Sequence, residues 1–409
     1  MGPQDNPEIA LVSTMSESDK IFISIASYCD PLLVVTIRDA IANAKHPERL
    51  RFGVVEQEEF AKRMTLENEA AKHMVRYIGV DPWQSRGACW ARALANTLHE
   101  GEEWFLQIDA HMHFESDWDT KLLQSVDLCE GLSRHARVLL TCYPNHFEWE
   151  GEIARVQTVT QKVLMHVLAE GAEFKDDDPV LMFRSIPVEV DHPVRGFHIA
   201  AGCLFGSARF LQEVPYDAQL YFHGEEQSLA VRAHTKGWDI WHPPAMPLYH
   251  YYDLQPERNE RTKHWDESQN NQRAKKHWEF EQSARKRLRS LLVEGKDLGV
   301  YGLGNVRDIA SFAALSGIDY THQKIMDRAR RGLAQQLEPF NTSSQEVAMN
   351  HINIDGKEYD PSQFNEQAKS SLQLLLATDQ RIRELERDLV IARTARDAVA
   401  QALQANLPK

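Results

Sequence analysis

Ile21-Phe-Ile-Ser-Ile-Ala-Ser-Tyr-Cys-Asp-Pro31 is the stretch whose reading decides the fold. Residues 21–27 are apolar and β-rich, as expected of a buried strand, and Ser-Tyr-Cys-Asp-Pro carries the chain into a loop at a sheet's carboxyl edge. Leu32, Leu33, Thr36, Ile37, Ala40 and Ile41 then recur at helical spacing until His46-Pro47 stops the helix. Leu50-Arg-Phe-Gly-Val-Val55 supplies a second strand, so 21–55 reads as a βαβ unit. The alternation continues through Met74–Val80, a helix over about 87–100, Glu103-Trp-Phe-Leu-Gln-Ile-Asp109 and Arg137–Cys142. This order predicts an α/β fold with a mostly parallel, Rossmann-like sheet and helices on both faces, its functional residues gathered where strands end. Further on, a helix from Glu225 to Lys236 ends at Gly237, and Trp238-Asp-Ile-Trp241 is strand-like. The segment 150–198 gives no assignable pattern, and its Lys175-Asp-Asp-Asp178 reads as a solvated loop.

Composition limits what such a fold is for. The chain has 409 residues, 43% of them hydrophobic and 9% aromatic, which is enough for a substantial core and excludes wholesale disorder. A net charge of −14 argues against a protein that coats nucleic acid or anionic membrane, so an anionic ligand requires a local site. The five cysteines show no CxxC spacing and no disulfide framework, which points to a reducing compartment. No signal sequence or membrane span is evident, and a cytoplasmic location is expected.

The expected domains are a disordered or added N-terminus over 1–19, a catalytic domain over 20–260, and a helical extension packed on it over 261–337. A polar linker over 338–366 and a terminal amphipathic helix over 367–409 complete the chain. In that helix Leu375, Ile382, Leu389 and Leu403 lie at multiples of seven, with Arg396 interrupting, and Leu385, Ala392 and Val399 form a second seam. The stripe over 367–405 serves either homo-oligomerisation or packing on the chain's own catalytic domain.

The sharpest chemical feature is Gln107-Ile-Asp-Ala-His-Met-His113 after an apolar strand. In extended backbone Asp109 and His111, two residues apart, project to one face and can share a metal ion. One carboxylate and one imidazole suit manganese(II) or another first-row ion better than magnesium or calcium. His250, after a proline-marked turn, is the best third ligand, with His223, His242 and His264 as sequence neighbours that compete. His113 reads as structural. Phe222-His-Gly-Glu-Glu226 opens a helix, where Glu225 and Glu226 either complement the helix dipole or act as the catalytic carboxylates, Glu225 against sugar or acceptor hydroxyls. Gly202 permits close approach of a sugar to backbone, and Arg86 or Arg92 is placed to hold a pyrophosphate or else makes a surface ion pair.

Five segments carry a resemblance: Ile23–Pro31, Phe52-Gly-Val-Val-Glu-Gln57, Arg86-Gly-Ala-Cys-Trp-Ala-Arg92, Gln107–Phe114 and Phe222–Glu226. Together, and with Tyr301-Gly-Leu-Gly-Asn-Val-Arg307, they resemble the GlcNAc-transferase family over about 20–325. Well-known members are cytoplasmic enzymes that add N-acetylglucosamine to hydroxyproline of a ubiquitin-ligase subunit. A more distant similarity is to the polypeptide N-acetylgalactosaminyltransferases, GT-A enzymes whose Asp-x-His motif and a later His bind manganese. Those positions fall on Asp109, His111 and His250, and their Trp-Gly-Gly-Glu-Asn segment falls on Phe222–Glu226, with Phe222, His223 and Glu226 departing from it. The resemblance implies a GT-A fold, a UDP-sugar donor with GlcNAc first among the sugars, retention of anomeric configuration, and a protein or glycan hydroxyl as acceptor. Ser27 and Asp30 are the expected contacts to uracil and ribose at the end of the first strand. The alternatives are a nucleotide-sugar hydrolase and a non-catalytic nucleotide-sugar-binding scaffold.

Overall fold

The protein is represented by a computed structural model that describes residues 20–65, 69–150, 153–156, 162–175, 178–252, 261–331, 352–354 and 357–359. The N-terminus 1–19 and the heptad stripe over 367–405 lie outside the described residues. The chain divides into two compact units, Met1–Glu338 and Pro339–Lys409.

The first unit begins with β1 (Ile21–Tyr28), α1 (Leu33–Asn43), β2 (Leu50–Gln57), α2 (Glu69–Met74), β3 (Val75–Val80), α3 (Ala88–Asn96) and β4 (Trp104–Ile108). It continues with β5 (Met112–Phe114), α4 (Trp118–Ser133), β6 (Val138–Thr141), β7 (Asn145–Glu150), β8 (Ile153–Val156), β9 (Val163–Leu168), β10 (Phe183–Val188), β11 (Val194–Gly196) and β12 (Cys203–Ser207). After these come α5 (Arg209–Glu213), α6 (Glu225–Thr235), β13 (Asp239–His242), β14 (Leu248–His250), α7 (Glu267–Asn270), α8 (His277–Leu292), α9 (Ile309–Ser316), β15 (Ile318–Asp319), β16 (Lys324–Ile325) and α10 (Asp327–Arg331). In the second unit β17 (Ile352–Ile354) pairs antiparallel with β18 (Lys357–Tyr359), inside the polar segment 338–366.

The α/β class expected from the sequence is present. An eight-stranded sheet runs in the order β11-β13-β6-β12-β4-β1-β2-β3. The β1–β2, β1–β4, β2–β3 and β6–β13 pairs are parallel, whereas β12 is antiparallel to both β4 and β6, and β11 is antiparallel to β13. The sheet is therefore mixed, with parallel pairs in the majority. Helix 87–100 stops earlier than expected, at Asn96, and the extension over 261–337 is α-helical, among its described residues, at α7, α8, α9 and α10.

Period-two alternation explains why helices cover both faces. Ile21, Ile23 and Ile25 of β1 point into a core shared with Leu33 and Ile37 of α1 and Leu122 and Val126 of α4. Phe22 points the other way, into a core with Leu229 of α6, Leu288 and Leu291 of α8 and Phe312 of α9. The extension beyond 260 thus contributes side chains to the same apolar core as the central strands. Among the described residues no helix is long and apolar enough to cross a membrane.

Burial also fixes protonation. It holds His234, His242 and His264 down to about 4, below the ordinary 6.5. A lowered folded pKa means the unfolded chain takes up protons first, so stability is whole above about pH 6.5 and falls as the pH drops toward 4. Melting temperature should decline across that window, and a flat profile would contradict the assignment of these imidazoles as neutral and buried.

Candidate active site

β1 lies between β2 and β4, and the β1–β4 pair is parallel with Ile25 opposite Ile108. Both strands therefore end at one edge, at the point where the chain's order in the sheet reverses, which is where open α/β sheets form a crevice. Asp109 is the first residue beyond β4. The backbone then bends at Ala110 and His111 before β5, so the two side chains do not meet by lying on one face of a continuous strand, as the spacing suggested. His111 is instead oriented from β1's loop: its Nδ1 lies 2.8 Å from Asp30 Oδ2. Asp30 also accepts a hydrogen bond from the Leu32 amide. Burial opposes its charge, but these bonds and the His111 charge outweigh burial and hold the Asp30 carboxyl below its usual range. Asp30 is thus the acceptor for the His111 Nδ1–H and turns His111 Nε2 toward the crevice.

His250 arrives through the ladder of a smaller sheet. β14 is antiparallel to β5 with His250 opposite Met112, one residue beyond His111. His250 Nε2 sits 3.0 Å from His111 Nε2 and 3.1 Å from Asp109 Oδ2. One ligand atom from each of the three residues falls within 4.8 Å of the others, and this is the one such constellation among the described residues. Burial keeps His250 neutral, down to about 4. Burial disfavours the Asp109 charge, yet the His250 hydrogen bond and the Arg92 and His111 charges hold its carboxyl well below the usual range. His250 Nδ1 is buried with no hydrogen-bond partner. Two imidazole nitrogens and one carboxylate oxygen this close together form a mixed N/O donor set, which fits a first-row divalent cation.

Arg92 of α3 links this triad to the helix that begins at Glu225. Its Nη2 donates to Asp109 Oδ1 and its Nη1 to Glu225 Oε1, each at 2.7 Å. The other Glu225 oxygen accepts from Tyr216 OH at 2.8 Å and from the Cys89 thiol at 3.1 Å. Burial raises the Glu225 pKa, although Arg92 and these donors oppose it. Glu226 is different: it accepts from Tyr143 OH at 2.6 Å and from the Ala201 amide at 2.8 Å, with His198 Nε2 at 3.3 Å. Burial opposes its charge, but those partners keep it ionised.

A cavity of about 330 Å³ opens over the triad, and Asp30, Arg92, Asp109, His111 and His250 all line it. Ser27 does not: its hydroxyl is buried without a partner, while its strand neighbours Ala26 and Tyr28 face the cavity. Arg86 does not either, since it lies over the Trp90 ring and lines a separate cleft. Gly202 stands behind Asp109. Of the competing histidines, His223 pairs with Glu281 and His242 bonds the Thr141 carbonyl, but His264 lines the cavity, bonded to Tyr221 OH and the Ser85 carbonyl. His113 pairs with Asp39. Sequence reading missed Tyr28, Gln57, Tyr221, Arg261 and Trp265 in the cavity wall. Position at the carboxyl ends of β1 and β2 could have found Tyr28 and Gln57; nothing local marks the 261–265 loop.

A Cβ added at Gly202 would lie 2.4 Å from Asp109 Oδ2. Asp109 is pinned by Arg92 and His250, so Gly202→Ala must displace a ligand. We expect manganese affinity to fall about 10–100-fold, as when support around a ligand is lost, with near-normal turnover at saturating metal. Titration of activity against manganese checks this.

The family model for Glycosyltransferase (GlcNAc) matches residues 20–70 and 58–322. No curated protein matches the chain by sequence. Among solved structures, GalNAc-T7 in a crystal structure with UDP, GalNAc and Mn2+ is similar at 11% identity and a TM-score of 0.49. That similarity covers 79% of this chain and 58% of the GalNAc-T7 chain. The family match takes in most of the described first unit and every residue of the triad, and the chain belongs to the glycosyltransferase (GlcNAc) family.

Proposed function

We propose that the protein is a retaining, metal-dependent glycosyltransferase of GT-A type that moves GlcNAc from UDP-GlcNAc to a hydroxyl on a protein or glycan. The observation that carries this reading is the convergence of Asp109, His111 and His250 at the floor of a cavity large enough for a small ligand. Manganese held by these three would supply Lewis-acid neutralisation of charge developing on the departing diphosphate.

The chain's own residues do the rest. Asp30 orients His111, and Arg92 orients Asp109. Arg261 and Lys263 add positive charge to the cavity wall beside the triad, where a diphosphate would lie. The carboxyl ends of β1 and β2, with Tyr28 and Gln57, form the wall expected to face the nucleoside. Glu225, whose two oxygens are committed to Arg92, Tyr216 and Cys89, is a positioning residue and a poor covalent nucleophile. This supports same-face attack by the acceptor, with the leaving phosphate taking its proton. Neither Glu225 nor Glu226 lines the donor cavity; both line a neighbouring pocket with Tyr143 and His198, and Phe222 lines the two. The free state of all five cysteines supports a cytoplasmic setting.

The experiment is incubation with manganese and a panel of UDP-sugars, reading UDP release with and without candidate acceptors. Release should be strongest from UDP-GlcNAc and small without metal. Free sugar formed at the same rate whatever the acceptor would make the protein a hydrolase instead.

A further inference from the structure

Arg86, set beside Gly87 at the start of α3, faces away from the cavity just described and lines a second cleft of about 400 Å³. Lys275, Lys286 and Arg287 line the same cleft, and none of its lining residues is acidic. In a chain of net charge −14 this is a local reversal of sign. Arg287 is partly neutralised, since its Nε donates to the buried Asp217 at 2.6 Å. The other three have no carboxylate partner among the described residues: Arg86 lies over Trp90, and Lys275 Nζ is 4.3 Å from the Phe280 ring centre. Three cations lining one cleft without counter-charge raise its local potential and favour an anionic occupant.

We propose that this cleft binds a small phosphorylated molecule, with phosphate held among Arg86, Lys275 and Lys286. Its volume is that of a small-molecule pocket rather than of a groove for an extended polypeptide. Phe280 offers an apolar wall and Ser283 a hydroxyl for the body of the ligand. Guanidinium and ammonium donors together suit a multiply charged phosphate better than a single carboxylate. The site is distinct from the donor cavity: the two share no lining residue, although Phe280 stacks on Tyr221, which belongs to the donor cavity's wall.

The test is calorimetric titration of inorganic pyrophosphate into the full chain with a chelator present, so that the triad cannot recruit it through a metal. Saturable binding is expected, weakened at least tenfold in the Lys275→Gln/Lys286→Gln double variant and by raising salt from about 0.05 to 0.5 M. Both lysines are exposed and outside the donor cavity, so the variant should release UDP from a UDP-sugar at the parental rate, which also shows that it is folded. Binding that the double variant leaves unchanged, binding that free UDP displaces competitively, or no binding at millimolar pyrophosphate would overturn the proposal.

Discussion

His250→Ala is expected to lower manganese-dependent UDP release by about 10²–10³-fold, the scale seen when one preorganised group that stabilises transition-state charge is removed. The substitution deletes one of three ligand atoms and leaves Asp109 and His111 as a two-point site. It should leave the fold intact, because β14 is held to β5 and β7 through backbone pairing that an alanine also makes. Part of the loss should be recovered by raising manganese. Parental turnover in this variant at micromolar manganese would remove His250 from the metal site.

Arg92→Met is expected to be the most destabilising single change in the site. Arg92 is 5% exposed and spans two carboxylates with one guanidinium. Methionine matches much of its volume but leaves Asp109 Oδ1 and Glu225 Oε1 unpaired, and breaking a buried ion pair from one side costs about 3–5 kcal/mol. Arg92 opposes the burial that raises the Glu225 pKa, so its removal should raise that pKa further. Arg92→Lys should rescue poorly, because an ammonium cannot fork to both partners. Denaturant unfolding of the metal-free protein separates this from a purely catalytic effect. A midpoint unchanged in Arg92→Met would show that the two carboxylates do not depend on it.

How far the sequence reaches is visible in individual residues. The strands of the central sheet were legible from 21–27, 50–55, 103–109 and 137–142, because buried strands leave uninterrupted apolar runs. β12 was not, since His198–Gly206 is small and apolar without showing direction, and only pairing makes it antiparallel. Asp109 and His111 stood out by their position after a strand, and His250 by its proline-marked turn and then by a resemblance. The contacts that orient them, Asp30 on His111 and Arg92 on Asp109, bridge 81 and 17 positions of chain. Only the folded arrangement of β1, α3 and β4 sets such distances. The two arginines of Arg86-Gly-Ala-Cys-Trp-Ala-Arg92 looked alike as sequence, yet α3 turns Arg92 inward and leaves Arg86 in the outer cleft. In the same way, Glu225 and Glu226 are neighbours with opposite pKa directions, because one is paired with Arg92, Tyr216 and Cys89 and the other with Tyr143, His198 and a backbone amide.

The most direct test of the central claim is a crystal of the protein grown with manganese and UDP, with anomalous diffraction recorded above the manganese edge. The account predicts one strong anomalous peak bonded to Asp109, His111 Nε2 and His250 Nε2, with diphosphate oxygens completing its shell. UDP bound with no manganese at these three side chains, or manganese bound elsewhere while they keep their mutual hydrogen bonds, would contradict it.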